Sequence, residues 1–205
     1  GSDTTAVAIA ASIKAKRCDI YTDVDGIYTT DPRIVPEAKK LDSITMEEML
    51  ELASLGSGVL HPRAVEAAME NKITIHVRSS FHEKEGTRVK EVVGMERKKE
   101  VTGIAFDKNI AKIAILNVKD EPGMAAKLFT LLAEQSINVD MIIQSQEQDI
   151  QNGITFTVPE TEVEKAVNIT KRFSDNNQAG QVLYDTKVSK ISIVGVGMIS
   201  KPGIA

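Results

Sequence analysis

The sequence predicts an α/β chain in two parts, a mixed helix-and-strand layer followed by a ferredoxin-like unit. Three observations predict it. Residues 1–81 alternate between the two hydrophobic periods in the order helix, strand, helix, helix, strand, which suits a layer with a parallel component. Residues 112–185 read β-α-β-β-α-β, the ferredoxin-like order. KIAILNVKDEPGMA (112–125) is echoed by KISIVGVGMISKPGIA (190–205), so a second small unit is expected to begin at residues 189–205.

Each element has a local cause. Thr4–Lys16 is predicted to be helical, with Ala6, Val7, Ile9, Ala10 and Ile13 on one broad face. Ser2, Asp3, Thr4 and Thr5 supply capping side chains, and Lys14, Lys16 and Arg17 supply cations for the carboxyl end. Asp19–Thr22 is a short strand. Thr45–Leu55 is a helix with a Thr45/Glu48 capping box and a Gly56 stop. Pro62 opens a helix running to about Asn71, and Ile73–Val77 follows as a β-branched strand. Residues 82–100 are charge-rich and read as a connecting segment with room for one strand.

From residue 101 the pattern changes. VTGIAFD and KIAILNV alternate as strands. Pro122-Gly123 opens a helix over Met124–Gln135, with Ala126, Phe129, Leu132 and Ala133 at helical spacing. VDMIIQS and GITFTVP are strands. Thr161–Phe173 is a helix with a Thr161/Glu164 capping box, and QVLYD is the last strand of the unit, which is bounded at 101–188.

Composition narrows the function. The chain has 205 residues, 42% apolar and 26% charged, with a formal net charge of −4. That balance does not fit a polybasic nucleic-acid binder, and 4% aromatics without Trp offer few stacking platforms. No apolar run has the length of a membrane span and no signal peptide is visible, so neither nucleic acid nor membrane is expected as a partner and a cytoplasmic location is expected. The single cysteine, Cys18, precludes an intrachain disulfide and reads as a small buried hydrophobe. There is no initiator Met, and KPGIA stops where a helix should begin, so a piece of a longer chain is expected.

The stretch TDVDGIYTTDPR (22–33) concentrates acidic and turn-forming residues after a strand, where α/β folds gather ligands. An EF-hand loop is excluded by spacing: with Gly26 at the sixth position, the first becomes Tyr21 and the twelfth Pro32. By itself the run is either a connecting loop or a binding loop. Asp3 at a helix start is either a plain cap or part of an anion-handling cluster. The Pro-Gly helix starts at 122–123 and 202–203 are either tight turns or carboxylate cradles. His61 and His76 read as a helix entry and a strand residue, and with His82 they lack metal-ligand spacing, so no metal site is assigned to the protein itself. No Walker phosphate loop, GxGxxG, HExxH or GxSxG motif occurs.

GSDTTAVAIA (1–10), TDVDGIYTTDPR (22–33), LGSGVLHPRAVE (55–66) and ITIHVRSS (73–80) together resemble the aspartokinases, of the amino-acid kinase family. KDEPGMAAKLF and NVDMIIQS, within 101–205, resemble the regulatory ACT domains of those enzymes, and GVLHPRAVE with HVRSSF resembles the bacterial lysine-sensitive type. The resemblance implies a fold: a partial amino-acid kinase (carbamate kinase-like) domain, a first ACT domain and the start of a second. It also implies a reaction, transfer of a phosphoryl group from MgATP to the side-chain carboxylate of L-aspartate. By position, Ser2 would help bind aspartate and Asp3 would stand among the reacting groups. Thr22, Asp23, Tyr28 and Arg33 would hold ATP, with Mg²⁺ arriving through the nucleotide. Some members carry Lys where this chain has Gly58, which removes one nucleotide contact. Asp120, Gly123, Ala125 and Gln144 match positions that hold an effector amino acid, lysine or threonine. ACT pairing implies a homo-oligomer or an α2β2 assembly.

The family's Lys-Phe-Gly-Gly-Thr-Ser motif, with its catalytic lysine, does not occur here. The alternative reading is a non-catalytic, amino-acid-binding ACT module, for which Met95 is a candidate internal start. Phosphoryl transfer depends on positioning and charge neutralisation. This chain by itself is therefore expected to release no ADP in a coupled assay at high protein concentration, and clear turnover would refute that.

Overall fold

A computed structural model describes residues 1–91, 101–119, 121–147 and 150–195; side chains at 145–147, 150 and 151 are outside the description. The chain divides into two units, residues 1–106 with 191–205 and residues 107–190. Met95 lies outside the described residues.

The first unit is built on a mixed sheet. Strands β1 (Arg17–Thr22), β2 (Ser43–Thr45), β3 (Thr74–Ser79) and β4 (Thr87–Lys90) lie in the order β1-β3-β4-β2. β1 and β3 are parallel with Thr22 opposite Ser79, β3 and β4 are antiparallel, and β2 is parallel to β4. The expected parallel component is therefore the β1–β3 pair. The strand foreseen within 82–100 is β4.

Helices α1 (Ser2–Ser12), α2 (Met46–Ser54) and α3 (Pro62–Glu70) share one core with the sheet. Cys18, Ile20, Ile75, Val77 and Val89 contribute its strand side, while Val7, Ala10, Met49, Leu52, Ala64, Val65 and Ala68 contribute the helix side. The Thr45/Glu48 capping box forms as expected. α1 departs from expectation. It begins at Ser2 and ends at Ser12, because Lys14 turns the chain with φ of 55°. Its N-cap is Gly1, with no side-chain cap, and no basic residue falls in its last turn. Ser2 and Asp3 thus sit inside the first turn, so Asp3 is not the N-cap, and the predicted cations lie beyond the helix.

Two further strands, β5 (Gly103–Asp107) and β10 (Lys190–Val194), pair as a ribbon. Ala105 and Val194 are buried in the first unit's core. The Ile104 N–H donates to Thr29 O at 2.7 Å, and the Thr102 hydroxyl donates to buried Glu48 at 2.6 Å.

In the second unit, β6 (Ile110–Ile115), β7 (Ile142–Glu147), β8 (Ile150–Pro159) and β9 (Val182–Asp185) form an antiparallel sheet in the order β7-β8-β6-β9. With α4 (Met124–Glu134) and α5 (Val163–Asn177) this is the expected ferredoxin-like βαββαβ unit. Its core joins Ile113, Ile115 and Phe156 to Leu128, Leu132 and Phe173. The Thr161/Glu164 capping box is not formed. A 3₁₀ turn over Glu160–Glu162 leads directly into α5, whose start has no side-chain cap. Ile110 lies opposite Pro159, the Glu160 N–H donates to Asn109 O, and that close strand end sets the entry instead.

Thr87 is fully buried. Its hydroxyl accepts from the Ile27 N–H at 2.8 Å and donates to Leu41 O at 2.5 Å. Thr87→Val keeps the shape and leaves both backbone groups unpaired. It should cost about 1–3 kcal/mol in urea unfolding. His76 on β3 is 4% exposed, with neither ring nitrogen hydrogen-bonded. Burial lowers its pKa below 6.5, helped by Arg78 and Arg88 and opposed by Asp19 and Glu85. A depressed histidine pKa contributes stability that is present above its unfolded value and lost as pH falls through the folded one. The thermal midpoint should therefore drop as pH falls below the ordinary histidine value of 6.5, and His76→Leu should flatten that dependence.

Candidate functional site

The stretch after β1 folds back as an irregular hairpin. Tyr28 and Lys40 form an antiparallel bridge, the Thr29 N–H donates to Lys39 O, and the Leu41 N–H donates to Ile27 O. Gly26 makes the turn possible. Its φ is +147°, and a Cβ there would stand 2.6 Å from the Thr87 hydroxyl. Beside it, the Ser80 N–H donates to Thr22 O at 2.8 Å, so the loop after β3 leaves from the same sheet end. That end is the carboxyl end of the parallel pair, where α/β folds place ligands.

The side chains of this loop are ordered by one another. Thr22 donates to Asp23 at 3.0 Å, and Asp23 is exposed. Tyr28 donates its hydroxyl proton to Asp25 at 2.7 Å. Lys40 pairs with the other oxygen of Asp25 at 3.4 Å and donates to Glu85 O at 2.8 Å. Burial works against the Asp25 carboxylate, but the Tyr28 hydrogen bond and the Lys40 charge hold its pKa below the usual range. The same hydrogen bond, then burial, pushes the Tyr28 phenol up. Arg33 is exposed and closes a fork on Asp31, with Nε and Nη2 both on that carboxylate. Asp23 is near enough to add to the field on Arg33.

The second cluster lies at the start of α1. A short turn joins α1 to β1, so the helix runs back along the strand. Ser2 donates to Asp3 at 3.3 Å, and the Asp3 carboxylate accepts from the His61 N–H at 3.3 Å. His61 is the cap of α3, its Nδ1 accepting from the Arg63 N–H. The carboxylate therefore ties two helix entries together. Gly58 lies in the loop before His61 with φ of +68° and an exposed position. Buried Cys18 carries a thiol raised first by burial, then by Asp19 and Asp3.

In the second unit, Gln144 lies level with the end of β6. Ile115, Ile154 and Gln144 lie in one row across β6, β8 and β7. Ile115 ends β6, so the connection to α4 starts from the same end at which Gln144 stands exposed on an edge strand. Gly123 caps α4 in a left-handed conformation, φ 92°, and Ala125 is half-buried in the first helical turn. Asp120 lies outside the described residues. Among the described residues, no group of three His, Cys, Asp or Glu side chains comes together as a metal site.

Asp25, Lys40, Thr87 and Glu85 were not singled out by sequence reasoning. Asp25 and Gly26 had a local signal, the turn-forming pair. Lys40, Glu85 and Thr87 had none, because the contacts that give them meaning span at least fifteen residues of chain.

Known proteins extend this geometry. Residues 1–79 match the amino acid kinase family model and residues 115–172 an ACT domain model, so the chain joins part of a kinase domain of that class to an ACT domain. It is 46% identical over 205 residues to Aspartokinase 2 of Bacillus subtilis, covering all of this chain and 50% of that protein. The structure of E. coli aspartokinase III with aspartate and ADP superposes with a TM-score of 0.81 at 29% identity, covering 100% of this chain and 45% of that one. The same enzyme with lysine and aspartate gives 0.74 at 30% identity, covering 95% and 43%. The chain is thus similar over its whole length to aspartokinases, and it spans about half the length of the curated relatives it matches.

Gly123 meets open space where a Cβ would go, so only its backbone conformation resists substitution. Gly123→Ala should cost about 1–2 kcal/mol, read as a lower unfolding midpoint of the second unit.

Proposed function

We propose that this chain forms one wall of the nucleotide and aspartate site, together with an effector-binding ACT unit, of an aspartate kinase. That enzyme phosphorylates the L-aspartate side-chain carboxylate with ATP to 4-phospho-L-aspartate, opening the route to lysine, threonine and methionine. The observation that carries the reading is the loop 22–33 at the carboxyl end of the β1–β3 pair, in a chain aligned throughout with aspartokinases.

Thr22, Asp23, Tyr28 and Arg33 take the nucleotide. Arg33 can offer its guanidinium to phosphate oxygens in exchange for Asp31, since both groups are at the surface end of a loop and a guanidinium fork suits either partner. Asp23 beside phosphates requires a cation between them, and this donor set fits a magnesium nucleotide. Bound magnesium supplies neutralisation of the phosphate charge. Ser2 offers a hydroxyl to aspartate. Asp3, held by the His61 N–H, orients the groups at the amino end of α1, where helix N–H groups favour an incoming anion.

Feedback control belongs to the second unit. Lysine or threonine binds through Gly123, Ala125 and Gln144, with Asp120 for the ammonium. Its carboxylate meets backbone N–H groups at the start of α4. Binding that differs between two states of the kinase part shifts their balance. The ACT sheet edge serves for pairing with a second subunit, in a homo-oligomer or an α2β2 assembly.

Calorimetry on this chain tests both halves. MgADP should bind, and Arg33→Ala should weaken it about tenfold, as expected for one lost charge-assisted contact. Lysine or threonine should bind, and Gln144→Ala should weaken that binding without changing MgADP affinity. Effector binding with no MgADP binding would favour the regulatory-module reading instead.

A further inference from the structure

Tyr28 has one hydroxyl proton, and the structure shows where it goes. It is donated to Asp25 Oδ1 at 2.7 Å. The opposite oxygen of Asp25 faces the Lys40 ammonium at 3.4 Å, and Lys40 is itself anchored on Glu85 O at 2.8 Å. The backbone bridge between Tyr28 and Lys40 holds the two side chains on one short ladder. Gly26, fixed against Thr87, sets the turn that brings Asp25 back to Tyr28.

A carboxylate can only accept, so the direction of the Tyr28–Asp25 bond is not reversible while Asp25 is ionised. The neighbouring ammonium keeps it ionised, and the lowered acid constant of Asp25 and the raised one of Tyr28 agree with that. The phenolic oxygen is left with acceptor capacity alone.

Resting on the reading of residues 22–33 as a nucleotide wall, we propose that Tyr28 meets the nucleotide as a hydrogen-bond acceptor, with Asp25 and Lys40 as its positioning residues, so that the loop selects a ligand presenting an N–H or O–H donor. A phosphate oxygen brings no proton and would face Tyr28 and Asp25 as a third acceptor. Tyr28 therefore serves the nucleoside end and Arg33 the phosphate end. Two donors of a nucleotide suit the Tyr28 oxygen, the exocyclic amine of adenine and a ribose hydroxyl. Guanine carries a carbonyl where adenine carries that amine, and 2′-deoxyADP lacks one hydroxyl.

The test compares MgADP, MgGDP and Mg-2′-deoxyADP by calorimetry on the full chain and on Asp25→Ala and Asp25→Asn. Asp25→Ala frees the phenol to donate, and its preference for MgADP should fall about tenfold. A fall against GDP assigns the base amine, and a fall against 2′-deoxyADP assigns the ribose. Asp25→Asn offers one carbonyl oxygen to two donors; the Lys40 ammonium takes it, the amide N–H faces Tyr28, and the preference should fall as in Asp25→Ala. In a Tyr21→Phe, Tyr184→Phe background, where Tyr28 is the remaining tyrosine, ultraviolet titration should show its phenol ionising above a free tyrosine, with Asp25→Ala returning it toward the free value. Unchanged ratios in Asp25→Ala and Asp25→Asn, or a Tyr28 that titrates as free tyrosine, each overturn the proposal while leaving the nucleotide wall standing. If the wild-type chain binds none of the three nucleotides, the nucleotide wall itself falls and the proposal falls with it.

Discussion

The hydroxyl of Thr87 is the point on which the acidic loop hangs. It lies at zero exposure on β4 and closes two backbone groups of a different segment, the Ile27 N–H and the Leu41 carbonyl. Those residues are the two sides of the hairpin that returns from residue 27 to residue 41. With both sides pinned to one side chain, Tyr28 and Lys40 fall opposite one another and Asp25 is turned between them. A loop with three aspartates and few apolar residues has little burial of its own to order it, so its shape is borrowed from the sheet beneath.

The same economy appears at the start of α1. A carboxylate in the first helical turn usually serves the helix's own N–H groups. Asp3 serves the entry of α3 instead, and His61 caps α3 with its imidazole. Two helix starts and one loop are thereby locked to each other by polar groups close to water, while the shared apolar core of α1, α3 and the sheet sets the larger spacing. The chemistry proposed for this end of the unit uses groups whose geometry is already settled by these contacts.

The second unit answers to different physics. Its sheet and helices follow from the alternation of Ile113, Ile115, Phe156 and Val158 and from the helical spacing of Leu128 and Leu132. The row formed by Ile115, Ile154 and Gln144 is a matter of register, and register is set by which face must be buried. Lys190 pairs with Asp140 near the exit of the unit, a contact between residues fifty positions apart that no local pattern announces.

By itself the sequence determined the order and type of nearly all the elements, because period and capping act over a few residues. The Thr45/Glu48 box, the Pro62 entry and the βαββαβ run were legible for that reason. It also marked residues 22–33 as a loop of interest through turn chemistry and position. Where it misjudged, a longer-range contact had taken over: α1 begins early with Asp3 committed to His61, and α5 starts through a 3₁₀ turn at a paired strand end. Only the tertiary structure decided that Thr87 carries the loop, that Lys40 faces Asp25, and that the proton of Tyr28 is already spent. The first two depend on hydrogen bonds across fifteen to sixty residues, whose partners are chosen by the packing of the sheet; the Tyr28–Asp25 bond spans three residues, but the turn that closes it is held by Thr87.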